Sequence, residues 1–349
     1  MNMQFRANDN PRFCEPLSAG KVPNDILARL LARFSFEDPS VLINPGIGED
    51  TAAADVSAEE VLVLKSDPIT FATDSIGRYA VVVNANDIAT AGAVPRWLLT
   101  TLLFPPGITG SQIWRIMHDL EQTCRRWSIT LCGGHTEITD AVTRPVVIGM
   151  LAGTVARNEL IDKRHMAVGD KILFTKAVAV EGTSIIAREF GARLAQLGIA
   201  APEIERARAF LDHISIQTEA RIARQSGTVS AMHDVTEGGL ATALCEFGIA
   251  GNCRLRVAVD RIPVFDETRH ICRVLSLDPL GLIGSGSLLI GCRAGSCDAI
   301  MAALRNAGIS VACIGEAIDG PVGIEAVNAS GPVAWPAFEV DEITRLYGG

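Results

Sequence analysis

Four aspartates stand in one recurring setting. Asp50 closes GIGED, Asp67 closes VLVLKSD, Asp87 closes VVVNAND, and Asp234 sits in SAMHDVTEGG. Each follows an apolar run or a glycine loop and has small residues beside it. In α/β proteins, ligands bind at the carboxyl ends of strands. Carboxylates gathered there repel one another unless a cation lies between them. Mg²⁺ takes oxygen ligands and is usually shared with substrate phosphates. The chemistry this pattern points to is a metal–nucleotide site.

Each aspartate also has a purely structural reading. Asp50 after Gly48, and Asp67 before Pro68, fit ordinary turns. Asp87 fits a helix N-cap for IATAGA. Asp234 and Glu237 have the D-x-x-E form of a capping box ahead of LATALCEF. His135 in GGHTE and His233 in MHD are candidate metal ligands or acid–base groups, although a lone histidine is more often structural. Other chemistries lack their motifs. The chain has no GxxxxGK[ST], no HExxH and no GxSxG, and Gly284-Ser-Gly286-Ser lacks the rest of a dinucleotide fingerprint.

The elements that must position these residues follow from pattern. Ile26, Leu27, Leu30, Leu31 and Phe34 recur at helical spacing after Asn24 or Asp25. VLVLKSD, WLLTTLLF, ITLCGG and RPVVIGMLAGTV read as strands, and ITGSQIWRIMHDLEQTCRRW as a helix. YAVVVNANDIATAGAVP reads as an apolar run that turns into a small-residue helix. The polar stretch around 157–169 breaks this rhythm, and GDKILFTK restarts it. Beyond it, TSIIAREFGARLAQLG and EIERARAFLDHISIQTEARIARQSG read as helices, with LRVAVD, GSGSLLIGC and VACIGEA as strands. Alternating strands and helices make an α/β fold, and 349 residues suit two domains, placed at 1–158 and 159–349.

Bulk properties narrow the class. A hydrophobic share of 48% with 20% charged residues is globular. A formal charge of −9 excludes the counterion-release chemistry of nucleic-acid binding. An acidic protein that binds a polyanion needs a local device, and a metal ion is one. Nine cysteines without a CxxC pair read as reduced thiols. The N-terminus lacks a signal-peptide core, and no apolar run reaches the roughly 18 residues of a membrane span. A cytoplasmic protein is expected.

GIGEDTAAA, LKSDPITFATDSIGRYAVVVNANDIATAGAVPRW, LCGGHTEIT, GDKILFTK and HDVTEGGL, in this order over roughly residues 18–320, resemble the AIR synthetase (PurM-like) superfamily. Within it the chain resembles the HypE-like, AIR synthase-related group, with thiamine-monophosphate kinase and selenophosphate synthetase as further relatives. The resemblance implies a two-domain α/β fold. Its N-terminal sheet would join that of a second copy into a dimeric barrel, and ATP would lie between that domain and a C-terminal α/β domain.

The resemblance also implies roles. Asp50, Asp67, Asp87 and Asp234 would hold Mg²⁺, with Ser66 and Glu137 as further ligands. The loop Gly46–Asp50, including Gly46 and Gly48, together with Asn86, Gly133, Gly134 and Thr136, would bind the nucleotide. Lys21, His135 and Asp234 would serve catalysis, Lys21 as a point charge on a phosphate. Two departures stand out. The chain reads GGHT where kinase-type members read GGDT, so His135 replaces a carboxylate. It ends in ITRLYGG, with its last cysteine at 313, where HypE proper has a cysteine tail that carries the carbamoyl group. The expected activity is Mg-ATP-dependent phosphorylation or activation of a small substrate by a homodimer. The rival is an ATP-binding sensor or maturation scaffold with reduced catalysis.

Overall fold

The computed structural model describes residues 20–21, 24–34, 38, 41–43, 53–54, 59–69 and 74–347. Gly46, Gly48 and Asp50 lie outside the described residues. The chain divides into two compact units, one of Met1–Ile88 with Ala93–Asn158, the other of Ala89–Gly92 with Glu159–Gly349.

The first unit is built on β1 (Gly20–Lys21), β4 (Glu60–Ile69), β5 (Val94–Phe104), β6 (Thr130–Ile138) and β7 (Val146–Ala156), in the order β1-β6-β5-β7-β4. β2 (Val41–Ile43) and β3 (Ala53–Ala54) form a separate pair. Only β5 and β6 run parallel; the other neighbours are antiparallel. α1 (Asn24–Leu31), α2 (Ile76–Thr90) and α3 (Gly110–Arg126) complete the unit's helices among the described residues. α3 starts at a capping box in which Thr109 and Gln112 satisfy each other's backbone N–H, and it ends on Arg125 and Arg126.

Strand alternation divides the sheet into two faces. Leu98, Leu102, Phe104, Ile138, Val147, Leu151 and Val155 are buried on the helix side. On the other face, Leu62, Leu64 and Met150 are 44%, 56% and 39% exposed, which leaves an open apolar surface. The five strands do not close into a barrel within one chain.

The second unit holds a seven-stranded sheet in the order β14-β13-β10-β12-β8-β11-β9. Its strands are β8 (Lys171–Thr175), β9 (Val229–Asp234), β10 (Arg254–Ala258), β11 (Leu288–Cys292), β12 (Val311–Ile318), β13 (Gly323–Asn328) and β14 (Gly331–Val333). β10 and β13 are parallel, and every other pairing is antiparallel. Its helices are α4 (Val180–Glu189), α5 (Gly191–Gln196), α6 (Ala201–Arg208), α7 (Gln217–Ser226), α8 (Gly239–Ala250), α9 (Asp266–Leu275) and α10 (Cys297–Asn306). Leu173, Met232, Leu288, Ile290, Ile300 and Leu304 form its core. The eight described cysteines are free thiols. No helix among the described residues is long and apolar enough to cross a membrane.

Several expectations are corrected. α2 runs unbroken through YAVVVNANDIAT, so Asp87 lies inside a helix, neither at a strand end nor at an N-cap. Helical packing on the sheet overrides the β-propensity of the valine run. Asp67 and Pro68 are strand residues of β4 rather than a turn, and proline is tolerated because β4 is an edge strand. β6 continues through Gly133 and Gly134 to Ile138. Each long helical stretch of the second half is broken, at Phe190 between α4 and α5 and by a short 3-10 turn, Ala209–His213, between α6 and α7.

Candidate functional site

In the first unit two of the four aspartates come together. Asp67 sits on β4 and Asp87 two turns along the face of α2 that begins at Ala80. Between them stands Lys65, whose Nζ is 3.1 Å from Asp87 Oδ2 and 3.5 Å from Asp67 Oδ2. Lys65 and Asp67 share a strand face because they are two residues apart. Asn84, fully buried, fastens helix to strand: its Nδ2 donates to Ala80 O at 2.8 Å and to the main-chain O of Asp67 at 3.4 Å. Its Oδ1 makes no hydrogen bond among the described residues. Gly149, opposite Asp67 on β7, makes room for this, since a Cβ there would come within 2.4 Å of Asn84 Nδ2.

The other candidates of this unit are distributed differently. Ser66 is exposed on the opposite face from Asp67. His135 and Glu137 lie on β6 in register with Thr101 and Leu103, on the open side, with His135 Nε2 3.5 Å from Glu137 Oε2. Lys21 pairs with Glu137 across β1 and β6. Thr136 alternates onto the helix side, and Asn86 is fully buried in α2. Gly133 and Gly134 are strand residues beside Leu99 and Thr100. Among the described residues no group of three or more His, Cys, Asp and Glu side chains is placed to hold a metal ion. Two carboxylates with a buried amide oxygen nearby still suit Mg²⁺, which keeps several waters and completes its shell with phosphates.

In the second unit Asp234 is the last residue of β9, opposite Leu288, and is buried. The turn after it is made by glycines: Gly238 and Gly239 have φ of +76° and +63°. A Cβ at Gly239 would lie 2.4 Å from Leu280 O. α8 therefore begins with Gly238 at its N-cap and no side-chain cap, so Asp234 and Glu237 do not form a capping box. Instead Gly238 N donates to Asp341 Oδ2 at 2.7 Å. Glu181 lies buried close by. Burial pushes its carboxyl up to about 7, opposed by the Ser285 hydrogen bond and reinforced by Glu237 and Asp341. Lys176 is held inside the unit by Glu219 Oε1 at 2.5 Å and by the carbonyls of Ser215 and Gly286. A groove of about 330 Å³ between α6 and α9 contains none of the candidates, and its Arg206–Glu267 and His270–Glu203 pairs close its charges on themselves.

Comparison with known proteins decides the family. Residues 48–155 match the model of the AIR synthase related protein N-terminal domain, and residues 167–328 match that of its C-terminal domain. The chain belongs to the AIR synthase related family. Among curated members it is 27% identical over 293 residues to the carbamoyl dehydratase HypE of Escherichia coli, spanning 79% of this chain and 83% of that protein. It is 26% identical over 305 residues to a provisionally named hydrogenase expression/formation protein of Methanocaldococcus jannaschii, spanning 83% of this chain and 85% of that one. Its fold matches the crystal structure of the hydrogenase maturation protein HypE in complex with ATP, with a TM-score of 0.74 at 22% identity over 91% of this chain and 96% of that one. It also matches thiamine-monophosphate kinase from Stenotrophomonas maltophilia, with a TM-score of 0.70 at 22% identity over 90% and 98%.

For an AIR synthase related protein, three residues beyond the sequence-selected set acquire importance. Lys65 lies two places before Asp67 on an alternating strand. Asn84, three residues before Asp87, shares its helix face. Glu181 was the lone acidic residue in the apolar stretch AVAVEGTSII.

Proposed function

We propose that this AIR synthase related protein binds ATP with Mg²⁺ and uses it to phosphorylate or activate a small substrate. The carrying observation is the meeting of Asp67 on β4 with Asp87 on α2 at one cationic position. The likeness of the chain to HypE, whose fold is known with ATP, supports the nucleotide. Asp67 and Asp87 would hold Mg²⁺, which neutralises phosphate charge when bound. The chain's own part is to fix the two carboxylates through Asn84 and, in the second unit, to present Asp234 on a rigid strand end before a glycine turn. Lys21, Asn86, Gly133, Gly134 and Thr136, with Gly46, Gly48 and Asp50, are proposed for nucleotide binding and catalysis on the family resemblance alone, as are Ser66, His135 and Glu137, which lie on the sheet's other face.

Calorimetric titration with a non-hydrolysable ATP analogue tests this reading. Asp87→Asn is expected to weaken binding in Mg²⁺ by roughly tenfold or more, because one of two anionic ligands is lost. Asp234→Asn is expected to weaken it also. Tight binding that needs no metal and ignores both substitutions would overturn the proposal.

We further propose that the open face of the first sheet joins that of a second copy. Leu62, Leu64 and Met150 form an exposed apolar patch on long paired strands, and such patches mark association surfaces. Leu64→Arg is expected to raise the dimer dissociation constant by at least about tenfold, since a charge would be desolvated in the interface. Light scattering of the eluting species measures this, and an unchanged dimer, or a wild-type monomer at high concentration, would refute it.

A further inference from the structure

Lys65 stands where a cation between two carboxylates belongs. Asp67 and Asp87 come from different elements, yet both direct Oδ2 toward one ammonium, at 3.5 and 3.1 Å. Lys65 and Asp67 keep 34% and 30% of their side-chain exposure and Asp87 21%, while Asp87 Oδ2 itself is buried. The carboxylates alone carry a charge of −2; with Lys65 the group carries −1. We propose that Lys65 is a tethered counter-ion that keeps divalent metal off the nucleotide-free protein, so that metal enters with the nucleotide. This rests on the Mg-ATP reading above and adds the order in which metal and nucleotide arrive.

The ammonium and a divalent ion compete for the same oxygens. A divalent ion must approach within about 2.0–2.1 Å of a carboxylate oxygen. It cannot do so while the ammonium occupies the space between the two oxygens and repels it at contact distance. A metal–polyphosphate complex has a different balance. Its anionic oxygens offer Nζ new partners, so the lysine moves from carboxylate to phosphate as the metal takes its place. Lys65 is on this account a positioning residue for metal entry.

The test uses Mn²⁺ as the probe and the full chain without nucleotide, reading free Mn²⁺ by its electron paramagnetic resonance signal. Lys65→Met keeps the aliphatic stem and removes the charge. It is expected to bind Mn²⁺ at least about tenfold more tightly than wild type, while Lys65→Arg stays weak. The gain should vanish in Lys65→Met combined with Asp87→Asn. Thermal melting of each variant establishes that the fold is retained. Equal Mn²⁺ affinity in folded wild type and Lys65→Met would overturn the proposal, as would a tightening by Lys65→Arg equal to that of Lys65→Met. Failure of the ATP reading is separate: it would show as no binding of Mn²⁺-ATP to wild type, whatever the nucleotide-free titrations give.

Discussion

Gly134→Ala is expected to be the most destabilising single-methyl change in the first unit, lowering unfolding free energy by about 3 kcal/mol or more. The backbone there has φ of +149°, a region that is essentially glycine's own. A Cβ would also stand 1.7 Å from Thr100 O and 2.6 Å from its carbonyl carbon. Those are backbone atoms of β5, the strand paired with β6, so no side-chain rotation relieves the clash. Only a shift of one strand against its neighbour does, and β5 is fixed on its other side by β7. Gly107→Ala is the control. Its φ is +92°, but nothing lies within 4 Å of the added methyl, so it bears backbone strain alone, roughly 1–3 kcal/mol. Urea unfolding of the two variants separates strain from overlap, and equal losses would show that the sheet absorbs the methyl.

That result bears on what a glycine pair beside a histidine means. The resemblance implies that GGHT meets the nucleotide, yet Gly134 already has a demanding task within the sheet. The same division runs through the molecule. Alternation and helical spacing revealed most elements, because burial on one face leaves a period of two or of about 3.6. Asp87 was legible only as one of four carboxylates expected at strand ends, not as a helical one. VVVN has strand-like composition, and only packing on the sheet decides otherwise. Lys65 was hidden for another reason. Its meaning depends on Asp87, 22 positions later in the chain, arriving beside it. Asp234 was placed correctly at a strand end, but its capping-box partner was not, since Gly238 and Gly239 impose a turn that no side chain needs to cap. β13 and β14 escaped because GIEAVN and GPV hold no sustained apolar run, and both strands lie at one side of their sheet.

The second large effect concerns pH. Glu181→Gln is expected to make the chain more stable than wild type at pH 8 by about 3 kcal/mol, and close to wild type near pH 4.5. Burial raises the Glu181 carboxyl from its ordinary 4.5 to about 7 in the folded protein. Between these values the folded state holds a proton that the unfolded state has released. Stability therefore falls as pH rises through that window. Its full contribution is present only below 4.5, and the loss is complete above about 7. Glutamine carries no charge at any of these pH values, and its amide oxygen can still accept the hydrogen bond that Ser285 N donates to Glu181 Oε2 at 3.2 Å. Asp341, also raised by burial, repels ionised Glu181, so the difference between the two proteins reads the Glu181 charge together with that repulsion. Denaturant unfolding from pH 4.5 to 8 reads the effect, and two parallel stability curves would refute it. The charge also links to the glycine turn. Gly182 N donates to Ile283 O, and Gly284 N to Thr236 O, so the segment that meets Glu181 also buttresses the turn after Asp234. Ionising Glu181 beside Glu237 and Asp341 loads that turn with repulsion, and the cost measured by Glu181→Gln is therefore expected to be felt at the end of the second unit that carries Asp234.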